Sequence, residues 1–296
     1  MNRSSRPVAY AAVLACTLTL VAACGGGSSG GSKQTVKTQS SVDSAAAAKL
    51  PSALKSAGVV KVATDASYAP NEFFASDNKT IQGMDVDLGK AIGTVLGVKF
   101  EFTNVSFDSI IPNLGSRYDV GMSSFTDNKD REKVVDMVDY FSAGTSFLAK
   151  KGSSLNPSSV ADLCGKTAAV EKGTTQLDDL NAQKKKCKLT VLAFPDQNGA
   201  NLALQSGRAD VVMADSPVAA YAAKQSNGQF ALVGQPYGTA PYGIAVPKDA
   251  AHAGLAEAIS MALTDLNKSG AYQQILQKWG VQAGAVTSFG LNGAVS

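Results

Sequence analysis

The chain has 296 residues, 45% hydrophobic and 17% charged, which is long enough for two domains and ordinary for a globular protein that buries a core. Its 27 basic side chains include Arg3 and Arg6; without the first 23 residues, which carry no acid, 25 remain against 24 acidic ones. That near balance excludes the strongly basic surface a nucleic-acid binder needs.

In chain order, a basic start (Arg3, Arg6) runs into an apolar stretch from Val8 to Ala23 and then Cys24, the pattern of an export signal over residues 1–23 and not of a core helix. Val21-Ala22-Ala23-Cys24 resembles the lipobox of bacterial lipoproteins, which implies lipidation at Cys24 and a membrane anchor through two acyl chains. From Gly25 the composition is Gly, Ser, Thr, Gln and Lys, too polar to order itself, so residues 24–49 are expected to be a flexible tether. With Cys16 removed and Cys24 lipidated, Cys164 and Cys187 remain in an exported protein, which favours a disulfide between them. Two cysteines and His252 do not make a zinc set, so no metal or other cofactor is expected. His252, among Ala251, Ala253 and Gly254, reads as a solvated loop residue.

Val59 to Thr64 predicts a strand that breaks into Asp65-Ala66-Ser67-Tyr68-Ala69-Pro70, and open α/β sheets bind ligands at such strand ends. A helix follows from Gly83, with Leu88, Ala91, Ile92, Val95 and Leu96 on one face, Asp85 and Asp87 at its positive end and Gly97 closing it. Val98, Phe100 and Phe102 alternate as a strand, and Ser106 is placed to cap a helix over Phe107 to Leu114. The stretch Tyr118 to Arg131 then takes a short strand (Val120, Met122) through the hydroxyls of Ser123, Ser124 and Thr126 to Arg131, expected in a helix continuing to Met137. A guanidinium fork beside hydroxyls and free N–H groups is a grip for a carboxylate.

Further on, Thr167 to Val170 is a strand, and Gly173-Thr174-Thr175 turns into a helix whose start is a second anion-binding element. Leu189 to Phe194 and Asp210 to Ala214 are further strands, the latter ending at Asp215-Ser216-Pro217, with Ser216 as cap and Pro217 in the first turn. Tyr242 to Val246 is another strand; Leu255, Ile259, Leu263 and Leu266, then Tyr272, Ile275, Leu276 and Trp279, mark two helix faces with Trp279 in the core. A phosphate-binding loop at Cys164-Gly165-Lys166-Thr167 fails because position 160 is Val, and Gly121-Met122-Ser123-Ser124-Phe125 lacks the last glycine of a nucleophile elbow.

Gly83 to Leu96 resembles the signature of the bacterial extracellular solute-binding proteins that serve polar amino-acid ABC importers, with Met84 where that signature usually has Phe, Tyr, Ile or Leu. The resemblance runs from about Leu50 to Ala285 and includes the Asp65–Pro70 stretch, Ser106 to Pro112, Tyr118 to Arg131, Gly173 to Gln176 and Asp215-Ser216-Pro217. It implies an α/β, two-lobed periplasmic-binding-protein-like fold, each lobe a mostly parallel sheet flanked by helices: lobe 1 from 50–143 plus 244–285, lobe 2 from 146–241, a loose tail over 286–296, and hinge crossings near Ala143-Gly144-Thr145 and Ala240-Pro241-Tyr242. Carried over residue by residue, Tyr68 and Phe107 would sandwich the ligand side chain, with Asp65 near it. Ser124, Thr126, Arg131 and Thr175 would hold the α-carboxylate, and Asp215 the α-ammonium. The expected protein is a monomeric, lipid-anchored, non-enzymatic carrier on the outer face of the cytoplasmic membrane, handing an amino acid to an ABC permease. A periplasmic dehydratase using an acid such as Glu171, and a sensor for a membrane receptor, are the alternatives.

Overall fold

The computed structural model describes residues 41–294; the export signal, Cys24 and the tether up to residue 40 lie outside the described residues. Helix α1 (Ser44–Lys49) opens them. This corrects the expected tether: Asp43 caps the helix through Ala45 and Ala46 N–H, and Ala46 and Ala47 are buried, so alanines that look like linker supply a packed face. The elements then run α2 (Ser52–Ala57), β1 (Val59–Thr64), β2 (Ser67–Tyr68), β3 (Glu72–Phe74), β4 (Ile81–Gln82), α3 (Met84–Leu96), β5 (Lys99–Asn104), α4 (Phe107–Ile110), β6 (Val120–Gly121), α5 (Lys129–Glu132) and β7 (Val135–Lys150). The second half holds β8 (Thr167–Glu171), α6 (Thr175–Lys184), β9 (Thr190–Phe194), α7 (Gln197–Gln205), β10 (Val211–Asp215), α8 (Ser216–Gln225), β11 (Phe230–Pro247), α9 (Leu255–Lys268) and α10 (Ala271–Trp279).

Hydrogen bonding links eight strands in the order β5-β1-β6-β11-β7-β10-β8-β9. The outer strands on each side are parallel, as strands followed by crossover helices must be. Only β7 and β11 serve both lobes: their ends at Val135 and Pro247 pair beside β6 in one lobe, and their ends at Lys150 and Phe230 pair beside β10 in the other. Between these ends Ala143 lies opposite Ala240 and Ser142 opposite Pro241, with irregular register on both sides. In the first lobe α3, α9 and α10 bury Leu88, Ile92, Ile259, Leu263 and Leu276 against β1 and β11. A second cluster around Leu163, Val170, Leu180 and Met213 fills the other lobe, where Cys164 and Cys187 are joined by a disulfide.

Several sequence expectations need correcting. The helix carrying Arg131 stops at Glu132, and Val135 and Met137 belong to β7, because their alternation buries them in the sheet. The tail is not loose up to residue 294: Phe289 is buried edge-on against Tyr272, and Asn292 accepts from Met137 N–H through its side chain. His252 is buried between Asp249 and Asp119, its ring nitrogens 2.7 and 3.2 Å from their carboxylates. Trp279 is only half-buried, donating from its indole N–H to Asp87. Among the described residues no helix is long and apolar enough to cross a membrane.

Candidate functional site

The carboxyl ends of β1, β8 and β10 each leave an acid where the strand stops: Asp65, Glu171 and Asp215. The two lobes meet over these ends. Arg131 reaches from α5 across to the carbonyl of Gly173, Gln197 N–H donates to Ser67 Oγ, and the Phe73 ring lies 6.0 Å from that of Tyr221. Gly173 has φ +76°, and a side chain there would meet Asp108 Cβ at 2.9 Å, so glycine is required by both backbone and space. What the lobes enclose is a cavity of about 10 Å³, the room of a single water. Its walls are Tyr68, Phe107, Ser124, Thr126, Arg131, Thr174, Thr175, Gln176 and Asp215. An amino acid enters only if the lobes part. A roomier cavity of about 510 Å³ lies behind the crossing strands, walled by Phe141, Pro217, Tyr221 and Trp279 among others, but no carboxylate reaches it.

Arg131 sits on an aromatic floor, its guanidinium 5.4 Å from the Phe107 ring centre and 5.1 Å from that of Phe125, two rings stacked at 4.5 Å. Contact with these faces favours the cation, and the planar fork stays oriented by donating to the carbonyl of Thr126 at 2.7 Å. Asn128 Oδ1 accepts from Arg131 N–H and so caps the short helix that presents it. Asp215 does not cap α8 through its side chain. Its oxygens accept instead from Gln176 Nε2 at 2.6 Å and from the Tyr242 hydroxyl at 2.7 Å. Burial pushes its carboxyl up to about 6, and those two donors together with Arg131 limit the rise.

Ser124 lines the cavity in a left-handed backbone conformation, φ +52°. Its N–H donates to Asp85, its hydroxyl donates to Glu72 at 3.4 Å, and Asn71 Nδ2 donates to that hydroxyl. Asp85, in the first turn of α3, is fully buried and also accepts from the Tyr140 hydroxyl. Burial raises it to about 6, and burial together with Asp85 pushes its neighbour Glu72 well above the usual carboxylate range. This acid pair is the foundation that holds Ser124 in place.

The structure brings seven of the eight expected ligand residues, Tyr68, Phe107, Ser124, Thr126, Arg131, Thr175 and Asp215, to one cavity. Tyr68 and Phe107 touch each other there, with centroids 5.9 Å apart. Asp65 lies to one side, in the wall of a neighbouring pocket of about 220 Å³. Both of its oxygens accept from backbone N–H groups, of Ser67 at 3.1 Å and of Phe107 at 3.0 Å. It thereby takes over the cap of α4 expected of Ser106, whose side chain makes no capping bond. Sequence reasoning missed Thr174 and Gln176 as members of the site. Thr174 and Gln176 flank Thr175 at the same helix start, which is the signal that could have found them.

The profile of the bacterial extracellular solute-binding proteins, family 3, matches residues 60–282. An arginine-binding protein, ArgT, of Corynebacterium glutamicum is 34% identical over 245 residues, covering 80% of this chain and 79% of that protein. An ancestral arginine-binding protein bound to arginine superposes with a TM-score of 0.70 at 38% identity, over 75% of this chain and 98% of the other. The ancestral amino acid-binding protein AncCDT-1, a precursor of cyclohexadienyl dehydratase, gives a TM-score of 0.70 at 33% identity, over 77% and 97%. A two-lobed fold closing over one polar cavity defines a solute-capturing protein. The chain belongs to the bacterial extracellular solute-binding proteins, family 3.

Proposed function

We propose that this protein captures an amino acid with a cationic side chain, arginine foremost, and delivers it to an ABC permease. The observation that carries this reading is the placement of Arg131 in one lobe and Asp215 in the other, both facing one cavity. A zwitterion spans such a pair, carboxylate to guanidinium and ammonium to carboxylate, and so rewards closure. Relatives named as arginine-binding proteins, and the acid Asp65 in the wall of the neighbouring pocket, support a cationic side chain. The same clamp favours a carrier over a dehydratase, since Asp215 has no counterpart to meet in a substrate without an ammonium. Calorimetric titration with arginine, lysine, glutamine and glutamate tests the reading: arginine or lysine should bind tightest and glutamate not measurably, whereas tightest binding of glutamate would sink it.

We infer further that Cys24 is the lipidated amino terminus and that the chain works as a monomer on the outer face of the cytoplasmic membrane. The small residues before Cys24 and the polar stretch after it support this. Cys24→Ala should incorporate no labelled fatty acid and should leave the membrane fraction; retained label would show that the anchor lies elsewhere.

A further inference from the structure

The near balance of charge in the whole chain conceals a separation between its lobes. Residues 146–241 carry 10 basic and 7 acidic side chains, a net of +3, whereas the other described residues carry 13 and 17, a net of −4. Every lysine–carboxylate pair among the described residues lies in the first lobe, and no lysine of the second is in one. The topology gathers the second lobe's lysines at one end. Strands β8, β9 and β10 run parallel and bring Glu171 and Asp215 to the cleft, so their starts lie at the opposite end. Lys166 precedes β8, Lys188 precedes β9, and β7, antiparallel to β10, emerges there at Lys150 and Lys151. Helix α6 starts in the cavity wall at Thr175 and ends at Lys184, which adds Lys184, Lys185 and Lys186. All seven are exposed. The disulfide between Cys164 and Cys187, with the bond from Gly165 N–H to the Lys188 carbonyl, fastens the turn carrying Lys166 to the turn carrying Lys188. Asp210 and Asp162 lie at this end too, where they accept from the N–H groups of Thr167 and of Ser158 and Ser159. Seven lysines against two acids leave an excess of five positive charges.

We propose that this lysine-bearing end of the second lobe is a docking surface for the anionic phospholipid headgroups of a membrane. A cluster of cations with no anion of its own sets up a positive field that an external polyanion relieves, and a bilayer carrying acidic lipids is such a polyanion, broad enough to meet all seven lysines at once. Reach favours a membrane over other anions. Asp43 follows the proposed lipid anchor at Cys24 by 19 residues, roughly 65 Å at full extension, so the anchor keeps the lobes beside the bilayer. Between Lys150 and Lys166 the surface dips into a cavity of about 370 Å³, lined also by Ser153, Ser154 and Asp210, which has room for a headgroup phosphate. The chain enters the first lobe at its far end, where Asp43 N–H donates to the Val95 carbonyl at the close of α3. Attachments at opposite ends lay the molecule lengthwise along the bilayer. The surplus acids of the first lobe hold that lobe off the same headgroups, within the short range that salt allows. This surface is independent of what the cleft binds.

Flotation with lipid vesicles tests this, on the chain from Gly25 onward made without its export signal and therefore without lipid. It should float with vesicles of phosphatidylcholine and phosphatidylglycerol in a three-to-one ratio at low salt, stay behind with phosphatidylcholine alone, and come off the anionic vesicles as salt is added. The triple variant Lys184→Gln, Lys185→Gln, Lys186→Gln should keep a cooperative thermal transition and partition on the order of 100-fold less, at about fivefold per lysine. The control triple Lys55→Gln, Lys90→Gln, Lys99→Gln removes three exposed lysines of the first lobe and should float as wild type does. If the first triple does not fold, Lys150→Gln with Lys166→Gln takes its place, with a loss of about 25-fold. Failure to float with the anionic vesicles, equal flotation with phosphatidylcholine alone, or an equal loss in the first-lobe and second-lobe variants overturns the docking surface and leaves amino-acid capture standing.

Discussion

Arg131→Ala should leave a folded protein with no measurable amino-acid binding. The guanidinium is the cation in the wall that a ligand carboxylate can meet, and its fork is already oriented by the Thr126 carbonyl and by two stacked rings. Removing it leaves the carboxylate desolvated and unpaired, a loss of about 3–5 kcal/mol, or a few hundredfold and more in affinity. The variant also loses the bond from Arg131 to the Gly173 carbonyl, so the lobes forfeit one of the contacts that closes them. Arg131→Lys keeps a charge but not the fork and should fall between the two. A cooperative thermal transition near that of wild type establishes folding, and calorimetry reads affinity; wild-type affinity in Arg131→Ala would remove the carboxylate grip.

The second large effect belongs to Asp215. Wild type should discriminate strongly between an amino acid and the keto acid of the same shape, because the keto acid brings a carboxylate for Arg131 but no ammonium for Asp215. An anion left without its cation in a closed cleft costs about 2–5 kcal/mol. Gln176 and Tyr242 already occupy one side of each Asp215 oxygen, so these two donors blunt the penalty without cancelling it. Asp215→Asn should weaken the amino acid far more than the keto acid and narrow the gap. Equal binding of the two ligands by wild type would make Asp215 a scaffold residue that happens to line the cavity.

Much of the site was legible because strand ends announce themselves in one dimension. Asp65 and Asp215 close apolar runs directly, while Arg131 and Thr175 follow the turns that leave such runs. Seven members of the eight-residue set line one cavity. Asp65 was harder: its spacing put it beside the ligand, but nothing local revealed that Phe107 N–H, 42 residues away, would claim one of its oxygens. Glu171 enters the sequence reading only as the acid of a dehydratase, although it closes an apolar strand as Asp215 does. The long strands were seen only in pieces. Of β11 the sequence shows only Tyr242 to Val246, because the Gly234–Gly238 segment breaks the apolar alternation before it, as Gly144 does within β7. His252 and the tail from Val286 failed for the same reason, since polar and small residues are buried there by partners distant in sequence.

The pair β7 and β11 makes the second lobe an insertion whose two ends leave the first lobe as directly facing backbone positions, Ser142 opposite Pro241. A hydrogen-bonded ribbon of two strands resists stretching and shear but yields to twist and bend. Relative motion of the lobes is thereby confined to rotation about a short axis through the ribbon, with little freedom to slide. Ligand occupancy is then encoded in a single angle, which a membrane partner gripping one surface on each lobe can read without touching the ligand.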